Sequence, residues 1–130
     1  MRYIADTDWI VDGLFGVPTA LAALDRAGAG GLAVSIVTLG EVFEGAYRFP
    51  DPETHLDGFR RFLAGYTALP LTEPIMEIFA RNRALLRRQG QLIPDLDLLI
   101  AATAISHGLT LMTRNRRHFA RITDLQLIES

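Results

Sequence analysis

No cysteine occurs in the 130 residues, so disulfides, thiol nucleophiles and cysteine-held zinc are all excluded. Lysine is missing too, and the thirteen basic side chains are all arginine. No HExxH, Walker or Gly-x-Ser-x-Gly motif is present, and His55, His107 and His118 lack zinc-type spacing. Gly28-Ala29-Gly30-Gly31 precedes a strand rather than a helix, the wrong order for a phosphate loop. The longest run without formal charge, Leu98 to Thr113, falls short of the ~20 residues of a membrane span, and Ser106-His107-Gly108 interrupts it. The opening Met1-Arg2-Tyr3-Ile4-Ala5-Asp6 meets charge before any signal-peptide core could form. These absences suit a reducing compartment and predict a cytoplasmic protein without a membrane partner.

What is present is ordinary for a folded domain: 49% hydrophobic residues, 22% charged, and a formal net charge of −2. The length allows one domain with one core, residues 1–130. Net charge does not advertise a polyanion partner, but eight arginines fall in two groups. These are Arg81, Arg83, Arg87 and Arg88, then Arg114, Arg116, Arg117 and Arg121. Arginine suits bidentate phosphate contacts, and a compositional bias explains the missing lysine equally well.

Short apolar runs alternate with helical patterns. Tyr3-Ile4-Ala5 reads as a strand ending at Asp6, followed by a helix through Leu14 with Trp9, Ile10 and Leu14 inward. Pro18 opens a second helix to about Ala27, which Gly28-Ala29-Gly30-Gly31 ends. Leu32 to Ile36 reads as a buried strand, and Thr38 to about Phe49 as a helix stopped by Pro50-Asp51-Pro52. Glu53 to Gly65 is helical and Leu69-Pro70-Leu71 a short strand. Thr72 to about Gln89 is a long helix capped by Gly90, with Ile75, Ile78, Phe79, Leu85 and Leu86 inward. Asp95 to His107 is a helix apolar nearly all round, Leu109 to Met112 a strand, and Leu125 to Ile128 an edge strand. Met76 and the helically spaced Phe residues read as core. The alternation predicts an α/β fold, a parallel sheet of four to five strands with helices on both faces. Sites in such sheets form beyond the carboxyl ends of strands.

Three acidic residues lie at such junctions. Asp6 follows the first strand, and because Thr7 or Asp8 can cap the next helix, it is left without a structural duty of its own. Glu41 closes a capping box, Thr38-Leu39-Gly40-Glu41, which explains it locally. Asp95 after Pro94 reads as an N-cap. Asp97 lies in the first turn of the apolar helix, whose positive end accommodates negative charge. Carboxylates at separate junctions suit magnesium, which takes oxygen ligands, keeps several waters and needs only one or two protein carboxylates. Such a site can activate water against a phosphodiester.

The residues Tyr3-Ile4-Ala5-Asp6-Thr7, then Ser35 through Thr38-Leu39-Gly40-Glu41-Val42, then Asp97-Leu98-Leu99-Ile100-Ala101-Ala102-Thr103-Ala104 and Thr113-Arg114-Asn115 together resemble the PIN domain. The resemblance is greatest to the VapC-type toxins of bacterial toxin–antitoxin pairs, and it runs from residue 3 to about 128. It implies a PIN-like α/β fold, an endoribonuclease dependent on magnesium or manganese, homodimerisation, and a cognate antitoxin whose C-terminal segment fills the active-site groove. Carried over by position, the acidic residues are Asp6, Glu41 and Asp97, and the family's frequent fourth acid is Asn115 here. His118 stands where relatives often carry an acid, and reads as a phosphate contact or a surface imidazole. Asp6 and Asp97 are then the metal ligands, Glu41 handles the attacking water, and Asn115 completes the shell. Arg114, with Arg116, Arg81 and Arg87, is expected on RNA phosphates. Two other readings stay open: a non-catalytic RNA- or protein-binding module of the same fold, and a magnesium-dependent phosphotransfer domain, which the missing lysine disfavours.

Overall fold

The computed structural model describes residues 1–29 and 31–128; Gly30, part of the glycine run read as a helix end, lies outside them. Five strands form one sheet: β1 (Tyr3–Ala5), β2 (Ala33–Ser35), β3 (Thr67–Leu69), β4 (Thr110–Met112) and β5 (Leu127–Ile128), in the order β3-β2-β1-β4-β5. Every pairing is parallel, with Ile4 beside Ala33 on one side and Leu111 on the other. The parallel sheet expected from the alternating pattern is borne out.

The two-residue pleat divides the core. Ile4, Ala33 and Leu111 point to one face and Ala5, Val34 and Met112 to the other. Against the first face pack α5 (Glu73–Arg88), α6 (Asp95–His107) and α7 (Arg116–Phe119), through Leu86, Leu98, Ile100, Ala101 and Phe119. Against the second pack α1 (Thr7–Leu14), α2 (Pro18–Ala27), α3 (Ile36–Ala46) and α4 (Pro52–Leu63), through Ile10, Leu24, Val42 and Phe59. Helices therefore cover both faces, which is why each central strand is apolar throughout. No helix among the described residues is long and apolar enough to cross a membrane.

Several boundaries differ from the sequence reading. β3 lies at Thr67–Leu69 rather than Leu69–Leu71, because Pro70 lacks the N–H that a ladder needs. α3 ends at Ala46, and Tyr47 to Phe49 continue only as a turn. Met76, read as core, is 40% exposed, and Leu85, read as inward, is 37% exposed. Both satisfy helical spacing, but neither lies on the face turned to the sheet. α6 ends as expected, on Gly108 at φ +64, a left-handed conformation that glycine adopts without a Cβ clash.

Candidate active site

Strand order reverses direction on either side of β1, so a crevice opens at the carboxyl ends of β1 and β4. Asp6 sits there, its N–H continuing the ladder to the Met112 carbonyl at 2.9 Å. Its side chain is 6% exposed. Thr7 N–H donates to Oδ1 at 2.8 Å and the Thr113 hydroxyl donates to Oδ2 at 2.7 Å. Asp6 is itself the N-cap of α1, which corrects the assignment of that duty to Thr7 or Asp8. Burial pushes its carboxyl up to about 6, and the charges of Asp97 and Asp8 add to the rise. The two hydrogen bonds, from Thr113 and from Thr7, hold the value lower than burial alone would set it.

Glu41 projects from the second turn of α3. The capping box does not form: α3 begins at Ile36 and Ser35 is its N-cap, accepting from Val37 N–H at 3.0 Å. Thr38 is consequently inside the helix, and Glu41 is released from the capping role. It accepts a 2.6 Å hydrogen bond from the Thr7 hydroxyl instead. Thr7, adjacent in sequence to Asp6, thus joins two of the candidate carboxylates. That function went unread in the sequence, although its place beside Asp6 at a strand end was the available signal.

Asp97 occupies the first turn of α6. Asp95 does not cap that helix; Pro94 holds the N-cap position, and Asp95 pairs with Arg83 at 2.8 Å. His118 Nδ1 lies 3.0 Å from Asp97 Oδ2 and 2.9 Å from the Asn115 side-chain amide. One ring nitrogen offers either a proton or a lone pair. A carboxylate only accepts, so a proton on Nδ1 goes to Asp97, whereas an Nδ1 lone pair accepts from the Asn115 Nδ2 amide. His118 therefore contacts a candidate site residue and is not a free surface imidazole. The Asn115 N–H donates to Thr113 Oγ1 at 2.9 Å, which links this group back to Asp6.

Residues 3–125 match the PIN domain. The chain belongs to the PIN-domain family. It is 31% identical to Ribonuclease VapC2 of Haemophilus influenzae over 97% of this chain and 96% of that one. It is 28% identical, over the same shares, to the tRNA(fMet)-specific endonuclease VapC of Shigella flexneri. The crystal structure of VapBC2 from Rickettsia felis, bound to a DNA fragment from its promoter, superposes with a TM-score of 0.89 at 25% identity, covering 98% of both chains.

The donor set of this PIN domain fits a hard divalent cation. The Asp97 charge raises the cost of ionising Asp6, which a cation beside that carboxylate relieves. Each Asp6 oxygen accepts one hydrogen bond and keeps further lone-pair capacity. Among the described residues no three His, Asp or Glu side chains converge closely enough to hold a metal alone. An ion that retains most of its waters needs no such cage.

The arginines are dispersed. Arg114 lies over the Trp9 ring at 4.3 Å and pairs with Asp12 at 2.6 Å. Arg116, Arg81 and Arg87 are exposed, and no side-chain hydrogen bond or ion pair ties them to the carboxylates among the described residues.

Proposed function

We propose that the chain, acting as one domain over residues 1–130, is a magnesium-dependent endoribonuclease and the toxin of a toxin–antitoxin pair. The observation that carries this reading is Asp6: a buried carboxyl pushed up to about 6, held by two donors beside a second carboxylate. Capping α1 requires neither that depth of burial nor the neighbouring carboxylate, whereas a cation site uses both. Asp6 and Asp97 hold the ion, directly or through water, and Asn115 completes the shell without adding charge. When bound, the cation neutralises phosphodiester charge and makes water easier to deprotonate. Manganese can substitute, because the same oxygen ligands accept it.

Glu41 orients the attacking water and takes its proton as the new P–O bond forms and the bond to the leaving ribose oxygen breaks. The Thr7 hydroxyl occupies one Glu41 oxygen and leaves the other for water. Arg114 reaches RNA by exchanging Asp12 for a phosphate, with Arg116, Arg81 and Arg87 as outer contacts.

Two protein partners belong to this reading. A cognate antitoxin segment fits the groove of about 320 Å³ between α1 and α3, lined by Thr7, Val11, Leu14, Glu41, Arg48 and Phe49. The VapBC2 structure, itself a toxin–antitoxin assembly, supports such a partner. A second copy covers the apolar groove formed by Val37, Leu71, Leu96 and Leu99, giving a homodimer. The setting is the cytoplasm, where RNA and antitoxin meet. Incubating the purified protein with total RNA, with and without magnesium, and mapping the ends tests the activity. Discrete metal-dependent cuts support it, and intact RNA under both conditions overturns it.

A further inference from the structure

We propose that Thr38 is a positioning residue for Glu41, acting through Thr7 as a relay of two hydroxyls. The inference rests on the reading of Glu41 as the group that handles water.

The geometry is a chain of three side chains from two helices. Thr38 Oγ1 lies 3.0 Å from Thr7 Oγ1, which lies 2.6 Å from Glu41 Oε1. Each hydroxyl has one proton, and a carboxylate only accepts. The Thr7 proton must therefore point at Glu41, so Thr7 can only accept from Thr38. The polarity runs one way, Thr38 to Thr7 to Glu41. Donation into the Thr7 oxygen polarises its own O–H and strengthens the bond to the carboxylate.

Thr38 has no competing duty. It is fully buried, yet α3 is capped by Ser35 and does not need its hydroxyl. A buried helical threonine ordinarily bonds to the carbonyl four residues earlier, as Thr103 does with Leu99 at 2.8 Å. Thr38 is only the third residue of α3, so the residue four earlier, Val34, lies in β2; its hydroxyl reaches across to another helix, and among the described residues Thr7 is its one hydrogen-bond partner. The Thr7 amide donates to Asp6 Oδ1 at 2.8 Å. One residue thereby sets the spacing between Glu41 and Asp6, and Thr38 fixes the rotamer in which it does so. Glu41 is a flexible side chain with three torsions; unanchored, it spends most of its time away from the geometry in which water can be activated.

The test compares Thr38→Val, which keeps the shape and removes the hydroxyl, with Thr38→Ser, which keeps the hydroxyl. Steady-state RNA cleavage, thermal melting and the same Thr38 change in a Glu41→Ala background are measured. The relay predicts that Thr38→Val lowers kcat by about 10- to 100-fold with KM within about twofold. Thr38→Ser stays within about threefold of wild type. In Glu41→Ala the valine substitution costs nothing further, because the group it positions is gone. Should valine prevent folding, Thr38→Ala is read in the same way. Wild-type kcat in Thr38→Val alongside a crippled Glu41→Ala overturns the relay and leaves Glu41 in place. An equal loss in both backgrounds also overturns it, marking Thr38 as structural only. Full activity in Glu41→Ala instead overturns the reading of Glu41 on which the relay depends.

Discussion

Buried polar side chains occur in two regions of this protein, and they behave differently. Inside α5 and α6, Asn82 and Thr103 each bond to the carbonyl four residues earlier, at Ile78 and Leu99. They are satisfied within their own helices, and among the described residues neither side chain makes another hydrogen bond. At the carboxyl edge of the sheet, Asp6, Thr38 and Thr113 are as deeply buried but reach across elements: Thr113 to Asp6, and Thr38 to Thr7. Burial of polarity does not by itself mark a site. What marks it is donors from separate elements converging on carboxylates, an arrangement that local backbone satisfaction does not require.

The comparison is sharpened most by removing charge at the edge. Asp97→Asn keeps the shape and a hydrogen-bond partner for His118 but loses the anionic oxygen. RNA cleavage should fall by about 10³-fold or more with the melting temperature nearly unchanged. Near-normal turnover in that variant removes Asp97 from the site. The reverse behaviour is expected in the interior. Ile100→Ala empties a fully buried position against the sheet, and should cost about 2–5 kcal/mol of stability. Its specific activity, measured well below its melting temperature, should stay within a few-fold of wild type.

Asp6 joins the two behaviours. Its carboxyl titrates near 6 in the folded protein, against an ordinary value of 3.8. Between about pH 4 and pH 6 the unfolded chain has already lost a proton that the folded chain keeps. Stability of the metal-free protein therefore falls as pH rises through that window, by roughly 3 kcal/mol in all, and is level above it. Asp6→Asn should abolish the window, gain about 2–3 kcal/mol at pH 7 in chemical denaturation, and lose cleavage. Magnesium added to the wild type at pH 7 should recover part of the same stability by binding the folded form. A flat profile between pH 4 and 6 for the metal-free wild type would show that Asp6 carries no strain.

The parallel sheet and its helices on both faces were legible in the sequence because strand apolarity and helical period are patterns of composition along the chain. Asp6, Glu41 and Asp97 were legible as residues at strand ends and helix starts. Their support was not. Thr38 and Glu41 satisfy the spacing of a capping box, but Ser35 begins the helix three residues earlier, and only the backbone course decides between the two. The contact of His118 with Asp97 joins residues 21 apart in sequence, and that of Thr113 with Asp6 joins residues 107 apart. No local pattern encodes either. Met76 and Leu85 failed as core residues for a related reason: helical spacing tells which residues share a face, not whether that face is covered.

The smallest expected effect completes the contrast. Thr103→Val removes a buried hydroxyl whose partner, the Leu99 carbonyl, still has the helical N–H of residue 103 to accept from. Nothing buried is left unsatisfied, and the substitution keeps shape and adds a methyl where a hydroxyl was. Stability should change by less than about 1 kcal/mol, and cleavage should not change measurably. The same replacement at Thr38, equally buried and equally conservative, strips a donor from a chain ending at Glu41, so its effect should appear in kcat rather than in melting. If Thr103→Val slowed cleavage as much as Thr38→Val does, the distinction between locally satisfied and cross-element hydroxyls would fail. Both would then be acting through helix packing alone.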